Sequence, residues 1–204
     1  KSTIWLLPFT FVLGTALIKT AHARQDVVKE SFSVSEGGTL YIDVDIGNVE
    51  ILTTTRSEVT IVMERDLRNS SNRELKEVLA RHEYFFDREK SDMTIETRFD
   101  RDDASRAWRR WKKNHNLRVS FFIRVPESYN VEFRSGAGNI EIADLNGSVQ
   151  GRTGAGNINI GDIQGPVDIS SGAGNITIAG AYGEIHVHSG AGDITLEDIE
   201  GEIE

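Results

Sequence analysis

Cysteine is absent from the 204 residues, and proline occurs only three times. Without thiols the chain has no disulfide framework, no thiolate metal site and no cysteine nucleophile. No apolar run reaches the ~20 residues needed to span a bilayer. Nucleophile elbows, paired zinc histidines on a helix and kinase motifs are missing as well. Positive charge is in deficit: 23 Lys and Arg stand against 32 Asp and Glu, a formal −9. With 38% hydrophobic and 27% charged residues, the chain is too apolar for disorder and too polar for a multispan membrane protein. Its length suits one domain, or one domain plus a small appendage.

The amino terminus reads as an address. Lys1 precedes an uncharged run from Ile4 to Ile18, and Ala21, His22 and Ala23 follow. This is the order of a secretory signal peptide, expected to be cut after Ala23 rather than kept as an anchor; Lys19 is its one departure. Removing residues 1–23 takes away two lysines and no acid, leaving −11. The expected location is the periplasm, the exterior or the cell surface, with no membrane span after the leader and no role for nucleic acid.

What is abundant is glycine, and it is periodic. Of 19 glycines, 15 fall between Gly136 and Gly201. From Ser135 the chain reads SGAGNIEIADLNGSVQGR, TGAGNINIGDIQGPVDIS, SGAGNITIAGAYGEIHVH and SGAGDITLEDIEGEIE, a step of 18 without insertion. Gly136, Gly154, Gly172 and Gly190 hold that step; so do Asn139, Asn157, Asn175 and Asp193, and Ile140, Ile158, Ile176 and Ile194. Within each copy apolar and polar residues alternate, which means short strands with one buried face, and Gly-Asn, Asn-Gly and Gly-Pro pairs mark the turns. Such strands cannot bury their apolar faces alone. Stacked coils can, because equivalent isoleucines then lie about 4.8 Å apart in an interior column. The predicted fold is all-β, a parallel β-solenoid with 18-residue coils. The Gly-Ala-Gly corner fits a tight turn, and the asparagine beside it is expected to cap local N–H groups or to form an amide ladder.

The first half (27–134) reads as divergent coils. Gly47, Asn48, Val49, Glu50 and Ile51 repeat the signature, with Val59 and Ile61 expected as the second strand of that coil. Leu40 to Val44, Thr94 to Phe99 and Leu117 to Val125 are further strands. Two short helices are predicted, at about 71–84 with Ser71 and Glu74 as a capping box, and at about 103–114 with Ala104, Trp108 and Trp111 on one face. The tryptophan face is a candidate lid for the first coil. The last repeat stops part-way at Glu204, as expected of a fragment.

The exported start, the Gly47–Ile51 opening, the Ile123, Arg124, Val125, Pro126 segment and the tandem coils together resemble the bacterial putative adhesin family, over roughly residues 30–204. The resemblance implies a single-stranded, right-handed β-solenoid on an exported protein with a role in adhesion or envelope interaction. It carries over no catalytic residue.

Chemistry is sparse. Positions 18 apart become surface neighbours, which aligns Gln150, Asp168, His186 and Glu204 in one row and Arg152, Ser170 and His188 in the next. Asp168, His186 and Glu204 are the candidate proton-transfer or metal cluster of a carbohydrate-active β-helix enzyme acting on acidic polysaccharide. A polar outer face is the simpler account of that row, because outward strand positions must be polar in any case. In calcium-binding nonapeptide repeats an aspartate falls two residues after the third glycine. Here that position is Ile140, Ile158, Ile176 and Ile194. Gly-Ala-Gly never opens a helix, so no phosphate site follows. Arg106, Arg109, Arg110, Lys112 and Lys113 form a candidate patch for an anionic lipid, lipopolysaccharide or polysaccharide.

No catalytic residue, cofactor or metal is expected. The favoured function is a non-catalytic adhesion, scaffold or interaction domain whose partner is an envelope protein or polysaccharide. The third reading is an envelope assembly or stress component that self-associates through its open last coil.

Overall fold

In the computed structural model the described residues are 25–68, 72–99 and 116–200. They form an all-β protein with one helix, α1 (Asn72–Leu79). The strands of the first half are β1 (Gln25–Ser33), β2 (Thr39–Val44), β3 (Asn48–Thr54), β4 (Glu58–Arg68), β5 (His82–Glu89), β6 (Asp92–Phe99), β7 (Asn116–Pro126) and β8 (Asn130–Ser135). Those of the repeats are β9 (Ile140–Ile142), β10 (Val149–Thr153), β11 (Ile158–Ile163), β12 (Val167–Ser171), β13 (Ile176–Ala181), β14 (Ile185–Ser189) and β15 (Ile194–Ile199). Among the described residues no helix is long and apolar enough to cross a membrane.

The strands make two sheets. The first has the order β1-β4-β7-β3-β9-β11-β13-β15 and the second β14-β12-β10-β8-β2-β6-β5. Each of the first three repeats therefore gives one strand to each sheet, and the fourth gives β15 to the first. The pairing is parallel and in register: Ile140, Ile158, Ile176 and Ile194 are successive partners in one sheet, and Val149, Val167 and Ile185 in the other. Ile140, Ile158, Ile176, Val149, Val167 and Ile185 are all fully buried. One contiguous core between the sheets results, the dry column that the alternation of the sequence calls for.

The corner between the sheets shows why the repeat needs glycine. Gly156 has φ +134°, and a Cβ there would lie 2.1 Å from the carbonyl oxygen of Gly138 in the coil below. Both the backbone conformation and the space exclude a side chain. The asparagines beside this corner do not bond amide to amide. Instead the Oδ1 of Asn48 accepts from the backbone N–H of Asn139 (3.0 Å), and Asn139, Asn157 and Asn175 do the same for the next coil. Each asparagine ties its own coil to the one that follows it.

The first half departs from a simple stack. Strands β2 and β3 occupy the positions of a coil, pairing with β8 and β9 across 91 residues of sequence (Thr39 with Asn130, Val49 with Ile140). Strands β6 and β7 lie against their other side. Val59 and Ile61, however, do not turn into the second sheet. They belong to β4, which stays in the first sheet and runs antiparallel to β1 and β7. Its alternation continues through Met63, Arg65 and Leu67, all buried. At 11 residues it is about twice a coil strand, and it pairs along its whole length with strands of comparable length. Strand β5 likewise closes the second sheet antiparallel to β6.

The helix expected over 71–84 ends at Leu79, where the Ala80 and Arg81 N–H groups donate to the carbonyls of Lys76 and Val78. From His82 onward the residues pair with β6 instead, Phe86 opposite Ile95, because the aromatic cluster 84–86 favours a pleated, half-buried surface. The expected leader at 1–23, the helix at 103–114 with its tryptophans, and Ser71 lie outside the described residues.

Candidate functional site

The outward faces carry the polar half of each alternation, and register decides what stands beside what. On the first sheet Glu50, Glu141, Asn159, Thr177 and Thr195 are consecutive neighbours. On the second, one row runs Tyr41, Glu132, Gln150, Asp168 and His186, and the next runs Asp43, Arg134, Arg152, Ser170 and His188. Strand spacing puts consecutive members about 4.8 Å apart. The columns are fixed by hydrogen bonds between coils, so their spacing does not depend on side-chain conformation.

Of the expected cluster, Asp168 and His186 are brought together as register partners. Each also has a hydrogen-bond neighbour outside the pair. Asp168 Oδ2 accepts from Gln150 Nε2 (3.3 Å), and His186 Nε2 lies 3.1 Å from Glu184 Oε1. Glu204 lies outside the described residues, as do Arg106, Arg109, Arg110, Lys112 and Lys113. Among the described residues no group of three or more His, Asp or Glu could hold a metal ion. Asp168 is exposed and His186 partly exposed on this face.

A buried, hydrogen-bonded cluster lies elsewhere, at the β1, β4 and β5 end of the two sheets. Arg65, 5% exposed, crosses from one sheet to the other. Its guanidinium bonds Asp26 Oδ2 (2.5 and 2.9 Å) and donates to the His82 carbonyl (3.1 Å) and towards His82 Nδ1 (3.4 Å). It also lies over the Tyr84 ring at 5.0 Å. Nδ1 is therefore the acceptor nitrogen of His82, and its buried Nε2 has no hydrogen-bond partner among the described residues. Burial, and then the Arg65 charge, lower the His82 pKa to about 4, with Asp45 opposing. A cleft of about 540 Å³ opens beside this cluster, with Phe85 and Arg98 on its wall. Arg98 is held by Asp43 (2.5 Å), and that hydrogen bond raises its pKa.

Sequence reasoning misses this cluster. A single arginine on the inward side of the alternating run Val59, Ile61, Met63, Arg65, Leu67 is the signal that points to it.

Comparison with known proteins agrees with this architecture. The sequence profile of the family described as Toastrack DUF4097 matches residues 38–204. A solved structure described as a putative cell adhesion protein from Clostridium sporogenes superposes with a TM-score of 0.50 at 11% identity, covering 88% of this chain and 100% of that one. Another, described as a putative adhesin from Bacteroides fragilis, gives a TM-score of 0.34 at 12% identity over 87% and 96% of the two chains. No curated protein matches. At such identities the likeness to the clostridial protein is one of fold.

Proposed function

For a chain that belongs to the Toastrack DUF4097 family, we propose the role of an exported, non-catalytic interaction domain of the bacterial envelope, a β-solenoid that works by presentation. The observation that carries this reading is the register. Outward residues such as Glu141, Asn159, Thr177 and Thr195 repeat at one-strand spacing on a backbone whose coils are bonded to each other. A rigid array of this kind lets contacts that are individually weak add against a partner that is itself repetitive, such as an envelope polysaccharide or a surface protein array. The clostridial structure that shares the fold is described as a putative cell adhesion protein, which is consistent with that use.

The reading is tested with beads carrying the chain at several surface densities, drawn over immobilised bacterial envelopes. Retention rising more steeply than density is expected; retention that is absent, or merely proportional to density, overturns it. In parallel the soluble chain is incubated with acidic polysaccharides with and without calcium. Turnover that disappears in His186→Ala would establish a carbohydrate-active enzyme instead.

A further inference from the structure

Among the described residues, the row Arg134, Arg152, Ser170, His188 on the outer face of the second sheet makes no side-chain hydrogen bond or ion pair. Its members are register partners on four adjacent parallel strands, β8, β10, β12 and β14. Arg134, Arg152 and His188 are exposed. Neither Arg134 nor Arg152 takes an ion pair or hydrogen bond among the described residues. The acids around them are engaged elsewhere, Asp43 by Arg98 (2.5 Å) and Asp168 by Gln150 (3.3 Å). Glu132, two residues before Arg134 on the same strand, and Glu96, the register partner of Asp43 on β6, are further carboxylates near this patch.

Two like charges directly opposite on paired strands oppose the pairing. Here they stand side by side although Arg152 is the only Lys or Arg among residues 136–204, against eleven acids. A guanidinium fork is shaped for a carboxylate, which it binds through two parallel hydrogen bonds. Tyr41, 39% exposed, is the register partner of Glu132 one strand beyond β8, and its ring offers an apolar face beside the charged row.

We infer that this row is a binding track for a linear, carboxylate-bearing polysaccharide that lies across the strands. Arg134 and Arg152 each grip a carboxylate, Ser170 and His188 hydrogen-bond hydroxyls, and Tyr41 stacks against a sugar ring. A single glycan chain meets only the row. A flat anionic bilayer would press its charge against the whole acidic half, −10 over residues 136–204, and be repelled. The inference rests on the presentation reading above and names its partner class and its face.

The test is calorimetric titration of the full chain at low salt with a short oligogalacturonate, with an uncharged cello-oligosaccharide of equal length as control. Wild type is expected to bind the first and not the second. The double variant Arg134→Gln/Arg152→Gln is expected to bind at least about tenfold more weakly and with a flatter salt dependence. Arg124→Gln, the same charge change on the outer face of the other sheet, should leave binding intact. Both arginines of the row are exposed, so circular dichroism should show the double variant folded. Equal affinity of the double variant, equal binding of the uncharged chain, or binding to vesicles of anionic phospholipid in place of the oligogalacturonate would each overturn the assignment. If no oligosaccharide binds while beads still adhere to envelopes, the track is wrong and the scaffold reading stands; if the beads fail as well, both fall.

Discussion

Acidification probes the packing at the β5 end of the sheets. His82 is 2% exposed, stacks on Phe99 with ring centroids 4.5 Å apart, and faces the Arg65 guanidinium through Nδ1. Its folded pKa of about 4 lies well below the value of about 6.5 that an imidazole has in an unfolded chain. Between those values the unfolded state binds a proton that the folded state does not, so stability rises with pH across that window. Read downward, the loss begins near pH 6.5 and is complete near pH 4. A gap of about 2.5 units at about 1.36 kcal/mol each comes to about 3 kcal/mol.

Titrating carboxylates add their own slope, so the assay must be differential. Urea unfolding followed by circular dichroism, from neutral pH to pH 4, compares wild type with His82→Gln, whose amide oxygen can accept from Arg65 and does not titrate. The variant should start lower at neutral pH, and its curve should fall by about 3 kcal/mol less than that of wild type across the window. Parallel curves would show that His82 is not held neutral by its surroundings, and the account of the Arg65 cluster would fail with it.

Three further outcomes test the stack itself. Gly156→Ala forces a Cβ into a position with φ +134° and 2.1 Å from the Gly138 carbonyl oxygen; the expected cost is about 3 kcal/mol or more, seen as a drop in Tm of roughly 6 to 12 °C. Ile158→Ala empties one level of a fully buried column and should cost about 2–5 kcal/mol in chemical denaturation, whereas Asn159→Ala, its exposed neighbour in β11, should cost less than about 0.5 kcal/mol. Asn157→Ala removes the acceptor for the Asn175 N–H; because water can replace it at this exposed corner, about 0.5–1.5 kcal/mol should be lost, with faster amide exchange at Asn175 as the local readout.

The repeats are legible because in them sequence distance and spatial neighbourhood are the same variable. A step of 18 along the chain is one strand across the sheet, so Ile140, Ile158 and Ile176 announce their own contact. The same transparency extends backward to Asn48, whose signature places it correctly beneath Asn139. It stops at Val59. Two alternating apolar residues satisfy a strand in either sheet and in either direction, and what decides the matter is the length of the run and the presence of β1 and β7 to pair with it. Those partners lie far along the chain, Arg124 opposite Thr60 for example, and no periodicity records them.

The sites divide along the same line. The outward rows are a product of the period and are readable as rows, but a row says only which residues are neighbours. Asp168 and His186 are neighbours, yet Gln150 and Glu184 meet their polar atoms, a competition decided by side chains two positions or one coil away. The Arg65 cluster is the converse case. It joins Asp26, Arg65, His82 and Phe99 from four strands with no common period, so its one trace in the sequence is a charge on the inward side of an alternating strand. Buried arginines are rare because desolvating the charge costs several kcal/mol unless partners surround it. An inward arginine in a strand therefore implies, on energetic grounds alone, a set of acceptors around it, and here that set ties the edge strands β1 and β5 across the gap between the two sheets.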